Sequence, residues 1–170
     1  MKVLDYITKI FNGLNKIVAK IAQFLVIVLI GIVVIEVVSR YFLNQATLYG
    51  FDMVWMLYAA HFMLGLGYTN YRDEHVRVDI IFEKFSEKTQ SIMEILGYII
   101  FFFPAMIVLS VSTYKYFNAA LSRGMTSPYS LWQPYVWPIR LIGFIGIFLL
   151  LLQGICKVID NIKYLTEEGK

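Results

Sequence analysis

Charge is scarce in this chain, and so is the chemistry that usually travels with it. Only 16% of its 170 residues are charged against 59% hydrophobic. A soluble domain is about 25% charged and about 45–50% apolar. With a mean hydropathy of +0.66, too little polar surface remains to wrap a core in water. One cysteine, Cys156, excludes an internal disulfide and leaves no thiolate cluster for zinc or iron–sulfur ligation. It reads as a small apolar residue late in a membrane span. A net charge of +3, dispersed along the chain, does not suit nucleic acid. No serine–histidine–acid set, glycine-rich phosphate loop or metal-ligand spacing occurs, so nothing argues for catalysis, a cofactor or a metal. The halves 1–85 and 86–170 do not repeat each other. A secondary transporter commonly has such repeats, with broken helices at its midplane.

What the sequence has instead is apolar length. A helix needs about 20 mostly apolar residues to cross a bilayer. Four segments are expected to do so, at 21–42, 49–69, 92–117 and 136–158. The second is the weakest, because it holds Asp52 and His61. The fold class is therefore an all-α membrane domain of four spans. A cleaved signal peptide does not fit the start: about 20 residues precede the apolar block, which is too long, and no small-x-small site follows. Pro104 is placed to kink span three. "LGLG" at Leu64–Gly67 suits close helix packing.

Direction follows from lysine and arginine in the short flanks. Eleven fall beside 1–20, 70–90 and 157–170, and four (Arg40, Lys115, Arg123 and Arg140) fall on the other side. Both termini and the segment 70–90 are thus expected in the cytoplasm. That segment carries nine charges. Through it run Val78, Ile81, Phe82 and Phe85 at i, i+3, i+4 and i+7, one helical stripe. A helix over 74–89 lying along the membrane face is the expectation. Residues 1–20 have the same character, with Val3, Ile7, Ile10, Leu14 and Ile17 set against Lys2, Lys9, Lys16 and Lys20.

Ionisable groups inside spans are costly and mark internal or partner contacts. Glu36 and Arg40 make an i, i+4 pair in the favourable order, either at the headgroups or against a partner chain. Asp52 opens span two, where a carboxylate suits the positive helix end; a partner contact is the alternative. His61 lies deeper, hydrogen-bonded between helices or serving as a ligand. His61 and His75 stand at different depths, so paired haem ligation is excluded. The outward loop 113–135 carries Arg123, Gly124, Pro128, Tyr129, Trp132 and Pro134. With Trp137 its aromatics read as an interfacial belt or as a docking surface.

"EVVSRYFLN" (36–44), "GFDMVWMLYAAHFMLGLGYTNYRDEHVRVDI" (50–80) and "SPYSLWQPYVWPIR" (127–140) together resemble the small, DctQ-like membrane subunit of tripartite ATP-independent periplasmic (TRAP) transporters, over residues 20–160. Asp52 departs from the glutamate of many relatives and keeps the charge. The resemblance implies a bacterial inner-membrane subunit, not an enzyme. It implies as partners a large elevator-type subunit, which carries the sodium and substrate sites, and a periplasmic binding protein that delivers an organic acid. By that reading Glu36, Arg40, Tyr41, Asp52, Trp55 and His61 face the large subunit. Asn44, Arg123, Tyr129 and Trp132 belong to the binding-protein dock. Val78, Ile81, Phe82, Phe85 and Trp137 sit at the membrane interface. A self-contained oligomeric channel and a membrane anchor for a redox complex are the competing readings.

Overall fold

In the computed structural model the described residues are 2–72 and 85–167, with side chains described for 6, 8–72 and 85–166. His75, Val78, Ile81 and Phe82 lie outside them, and so does most of the helix expected over 74–89. The described chain is helical: α1 (Lys2–Phe42), α2 (Gly50–Tyr71), α3 (Glu87–Gly97), a π turn (Tyr98–Phe102), α4 (Phe103–Ser122) and α5 (Trp137–Glu167). Among the described residues one isolated antiparallel bridge, Thr126 with Tyr135, stands outside the helices.

Three helical stretches are long and apolar enough to cross a membrane: Thr8–Phe42, Glu87–Ser122 and Trp137–Thr166. The fourth expected span, α2, is long enough at 22 residues. Asp52, His61 and Asn70 hold its composition below that of the other three. The N-terminal region also differs from expectation. No break separates residues 1–20 from the first span, because α1 runs unbroken for 41 residues. No proline interrupts it, and Ala19 and Ala22 favour helix where a hinge would be needed. At 1.5 Å per residue α1 measures about 60 Å, twice the ~30 Å hydrocarbon layer.

The helices form a row. α2 lies between α1 and α5, and α4 packs on the far side of α5. At one end Glu36 meets Thr47 and Gly50, while at the other Asn15 meets Gly67, so α1 and α2 are antiparallel. Among the described residues the interior is made largely of small and polar residues, with Val136, Ile147 and Leu150 as the larger apolar members. Ala19, Ala22, Ala60, Ala120 and Cys156 are buried together with Thr8, Asn15, Asn70, Ser91 and Gln153. Large side chains of α1 such as Phe24, Ile27 and Val34 point outward. This inversion suits a lipid solvent, in which leucine gains nothing by leaving the tails and close backbone approach does the holding. It also explains why Ile10, Leu14 and Ile17 are exposed. The packed face of the first turns is the polar one, where the Asn15 amide donates to Gln153 at 2.6 Å and Gln153 donates to Asn12 at 3.0 Å.

Glycines mark the close approaches. A Cβ at Gly146 would strike the carbonyl oxygen of Met63, and one at Gly154 would strike the Phe102 ring. Gly67 faces the Asn15 amide, so one glycine of "LGLG" is a contact; Gly65 has open space. The expected disturbance around Pro104 is a wide π turn just before it. Proline supplies no N–H, and the widened turn re-aims its neighbours. Tyr98 donates its hydroxyl to Asn70 at 2.9 Å, and Phe102 lies in the Gly154 notch.

Gly146→Leu is expected to lower the melting temperature of the detergent-purified chain, by overpacking worth about 1–3 kcal/mol. Gly143→Ala, whose Cβ meets no atom within 4 Å, should leave it unchanged; differential scanning fluorimetry reads both.

Candidate functional site

The most constrained group of side chains gathers where α2 begins. Asp52 is its third residue and fully buried. A carboxylate cut off from water needs donors, and the chain supplies three. Trp55 gives its indole N–H to Oδ1 at 2.7 Å, Ser127 gives its hydroxyl to the same oxygen at 2.5 Å, and Ser130 donates to Oδ2. The first free amides of α2 add favourable positive potential. Each serine is also a relay. Ser127 Oγ accepts the Tyr129 amide at 3.3 Å, and Ser130 Oγ accepts the Trp132 amide at 3.2 Å.

The loop is fixed at both ends as well. α4 closes with Gly124 in the left-handed region (φ 57°), Met125 N–H returning to Ala120 and Gly124 N–H to Leu121. That is a Schellman cap. Ser127 N–H then bonds the Pro134 carbonyl at 2.9 Å, and Val136 N–H bonds that of Met125 at 3.0 Å. Held in this way, the loop still exposes Tyr129, Leu131, Trp132 and Tyr135. Phe51 meets the Tyr129 ring at 5.9 Å.

A second carboxylate closes the neighbouring connection. Glu36 pairs with Arg40 at 2.7 Å and accepts both the hydroxyl and the amide of Thr47. Thr47 Oγ1 in turn accepts the Gly50 amide at 3.0 Å, capping α2 from outside. A side chain at Gly50 would collide with Glu36 and Thr47. Asn44 makes the turn, at φ 51°, a conformation asparagine tolerates.

The residues singled out by sequence therefore separate into groups. Asp52 and Glu36 bind the chain to itself. His61 donates Nδ1–H to the Ala22 carbonyl at 3.0 Å, a bond between α2 and α1. Arg40, Tyr41, Asn44, Arg123, Tyr129 and Trp132 are exposed around the same end, with Trp137 at the first position of α5. Phe85 is exposed at the opposite end. Among the described residues no three metal-ligating side chains converge. Sequence reasoning missed Thr47, Ser127 and Ser130; the two serines lie 75 and 78 residues beyond Asp52, with no local pattern to join them to it. It also missed the Asn12–Asn15–Gln153 network, three amides in otherwise apolar helices.

The family model "Tripartite ATP-independent periplasmic transporters, DctQ component" matches residues 29–163. A search of curated proteins found no match. The match covers most of the chain, which belongs to the DctQ family and is thus the small component of a TRAP transporter, a transport component and not a member of an enzyme family. TRAP systems combine such a component with a large membrane subunit and a binding protein.

Removing the acceptor should free the loop. Asp52→Ala is expected to speed hydrogen exchange at the Tyr129 and Trp132 amides about tenfold or more, since bonds to a charged acceptor are worth about 1.5–3 kcal/mol. Asp52→Asn, which keeps one carbonyl acceptor, should fall between the two. Equal exchange in all three proteins would mean that the carboxylate does not hold the loop.

Proposed function

We propose that this chain does not itself carry solute but steadies and widens the large, elevator-type subunit of a sodium-coupled organic-acid transporter. It also contributes the loop 123–136 to the surface on which the binding protein docks. α2 completes a four-crossing protein: at about 33 Å it matches the hydrocarbon layer, and its neighbours cover its polar groups. Both termini lie in the cytoplasm of a bacterial inner membrane, which leaves the Asp52 end in the periplasm.

The observation that carries this reading is a loop clamped to a helix by a buried carboxylate while its aromatic side chains stay exposed. Rigid aromatics beside an arginine bind a partner at low entropic cost. Arg40 and Tyr41, exposed at the end of α1, are the contacts assigned to the large subunit. Asp52, Trp55 and His61 act from inside, setting the shape those contacts present. At the other end the exposed Phe85 rests on the inner membrane face and resists tilting; Val78, Ile81 and Phe82, the rest of its stripe, lie outside the described residues.

A moving subunit transports only against something that stays level in the bilayer, and a row of helices is broad for its mass. Against the competing reading, a self-contained channel, most polar side chains inside the described residues pair between helices, as Asn15 and Asn12 do with Gln153 and Asn70 does with Tyr98.

Reconstitution with the large subunit and the binding protein tests the proposal. Trp132→Ala combined with Leu131→Ala should lower uptake at limiting binding protein by about tenfold, the scale of one or two interface anchors. The two membrane subunits should still copurify, and the binding protein's own affinity for substrate should not change. Solute flux through liposomes holding this chain alone would overturn the reading.

A further inference from the structure

Beside the clamped loop an open trough of about 690 Å³ runs down between α2 and α5. That is within the ~300–1,000 Å³ of small-ligand sites. Trp55, Ala59 and Met63 form one wall at i, i+4 and i+8, Ile139 and Gly143 form the other, and Arg140 stands at the mouth. The lining goes no deeper than Met63 and Gly143, because Gly146 then brings α5 against the Met63 carbonyl. The trough thus ends midway along α2, polar near the loop and apolar further in.

Arg140 is the unusual member. Its Nη1 donates to the Tyr116 carbonyl at 3.1 Å and touches Met125 sulfur at 3.5 Å. Among the described residues no carboxylate pairs with it. A guanidinium carries five N–H donors, so donors remain for an anion. It also prefers phosphate and carboxylate oxygens, which it grips in pairs.

We propose that the trough holds one membrane phospholipid from the leaflet at the Asp52 end. Its phosphate lies on Arg140 and one acyl chain lies along Ala59, Met63, Ile139 and Gly143. Charge complementarity and shape both select this occupant. A partner's membrane helix, about 10 Å across, would need a groove that continues through the bilayer, and this one stops midway. A free anion would leave the apolar walls unused. The bound lipid fills the gap beneath the loop, so that α2, α5 and residues 125–129 act as one body. This assignment rests on the helices lying in lipid, not on the docking role.

Native mass spectrometry of the full chain, extracted in mild detergent, tests it. One phospholipid per chain should be retained. Arg140→Gln should cut the lipid-bound fraction about tenfold through loss of charge-assisted bonds. Gly143→Leu, whose Cβ has open space, should do so by filling the trough with the arginine intact. Lys115→Gln, at an exposed cation on α4, should not alter it. Absence of retained lipid would overturn the proposal, as would retention at the unsubstituted chain's level in both trough variants. So would displacement of the lipid by inorganic phosphate, or cross-linking of Ala59→Cys to the large subunit in the assembled transporter.

Discussion

Hydrocarbon offers no hydrogen bonds, and that one property of the solvent dictates where each polar group of this chain can go. Backbone amides are satisfied within helices, which is why the described residues are almost wholly helical. Side-chain polar groups must find one another. Asn15 finds Gln153, Asn70 finds Tyr98, and His61 takes a carbonyl of α1. Each pair joins two helices, so the groups most expensive to place in lipid are the ones that hold the row together. Packing supplies the rest through small residues, with Gly146 and Gly154 permitting the closest approaches.

At the Asp52 end the same rule operates over a longer reach. Ser127 and Ser130 lie 75 and 78 residues beyond the carboxylate they serve. Because each serine also accepts a loop amide, the carboxylate orders backbone it never touches. Glu36 does the same locally through Thr47, fixing how α1 hands over to α2. Two acids in an apolar chain thereby define the shape of one face, and the exposed aromatics inherit that shape. In the proposed role as a steady scaffold, this is the face offered to partners.

The end of the molecule away from Asp52 is built differently. Residues 74–89 were singled out for their stripe of Val78, Ile81, Phe82 and Phe85, and only Phe85 among these is described, exposed beside the start of α3. There Tyr164 donates to Glu87 at 2.6 Å and Asn161 to Glu94 at 2.9 Å, tying the end of α5 to α3. The two ends of the molecule are thus joined differently: a buried carboxylate and a loop at one, helix-to-helix amide, hydroxyl and carboxylate contacts at the other.

Helical class, the long apolar segments and family membership were legible in the residues alone, because lipid imposes a length and a polarity that composition cannot disguise. The Glu36–Arg40 pair was legible too, being local to one helix. What Asp52 does was not. Its partners lie across the chain, and a serine donating to a distant acid leaves no periodicity or spacing to read. The inverted face of α1 was hidden for a related reason. A stripe of isoleucine and leucine shows which side is apolar, but only the neighbouring helices decide whether that side meets lipid or protein. Here Asn12 and Asn15 found Gln153, and the isoleucines turned outward.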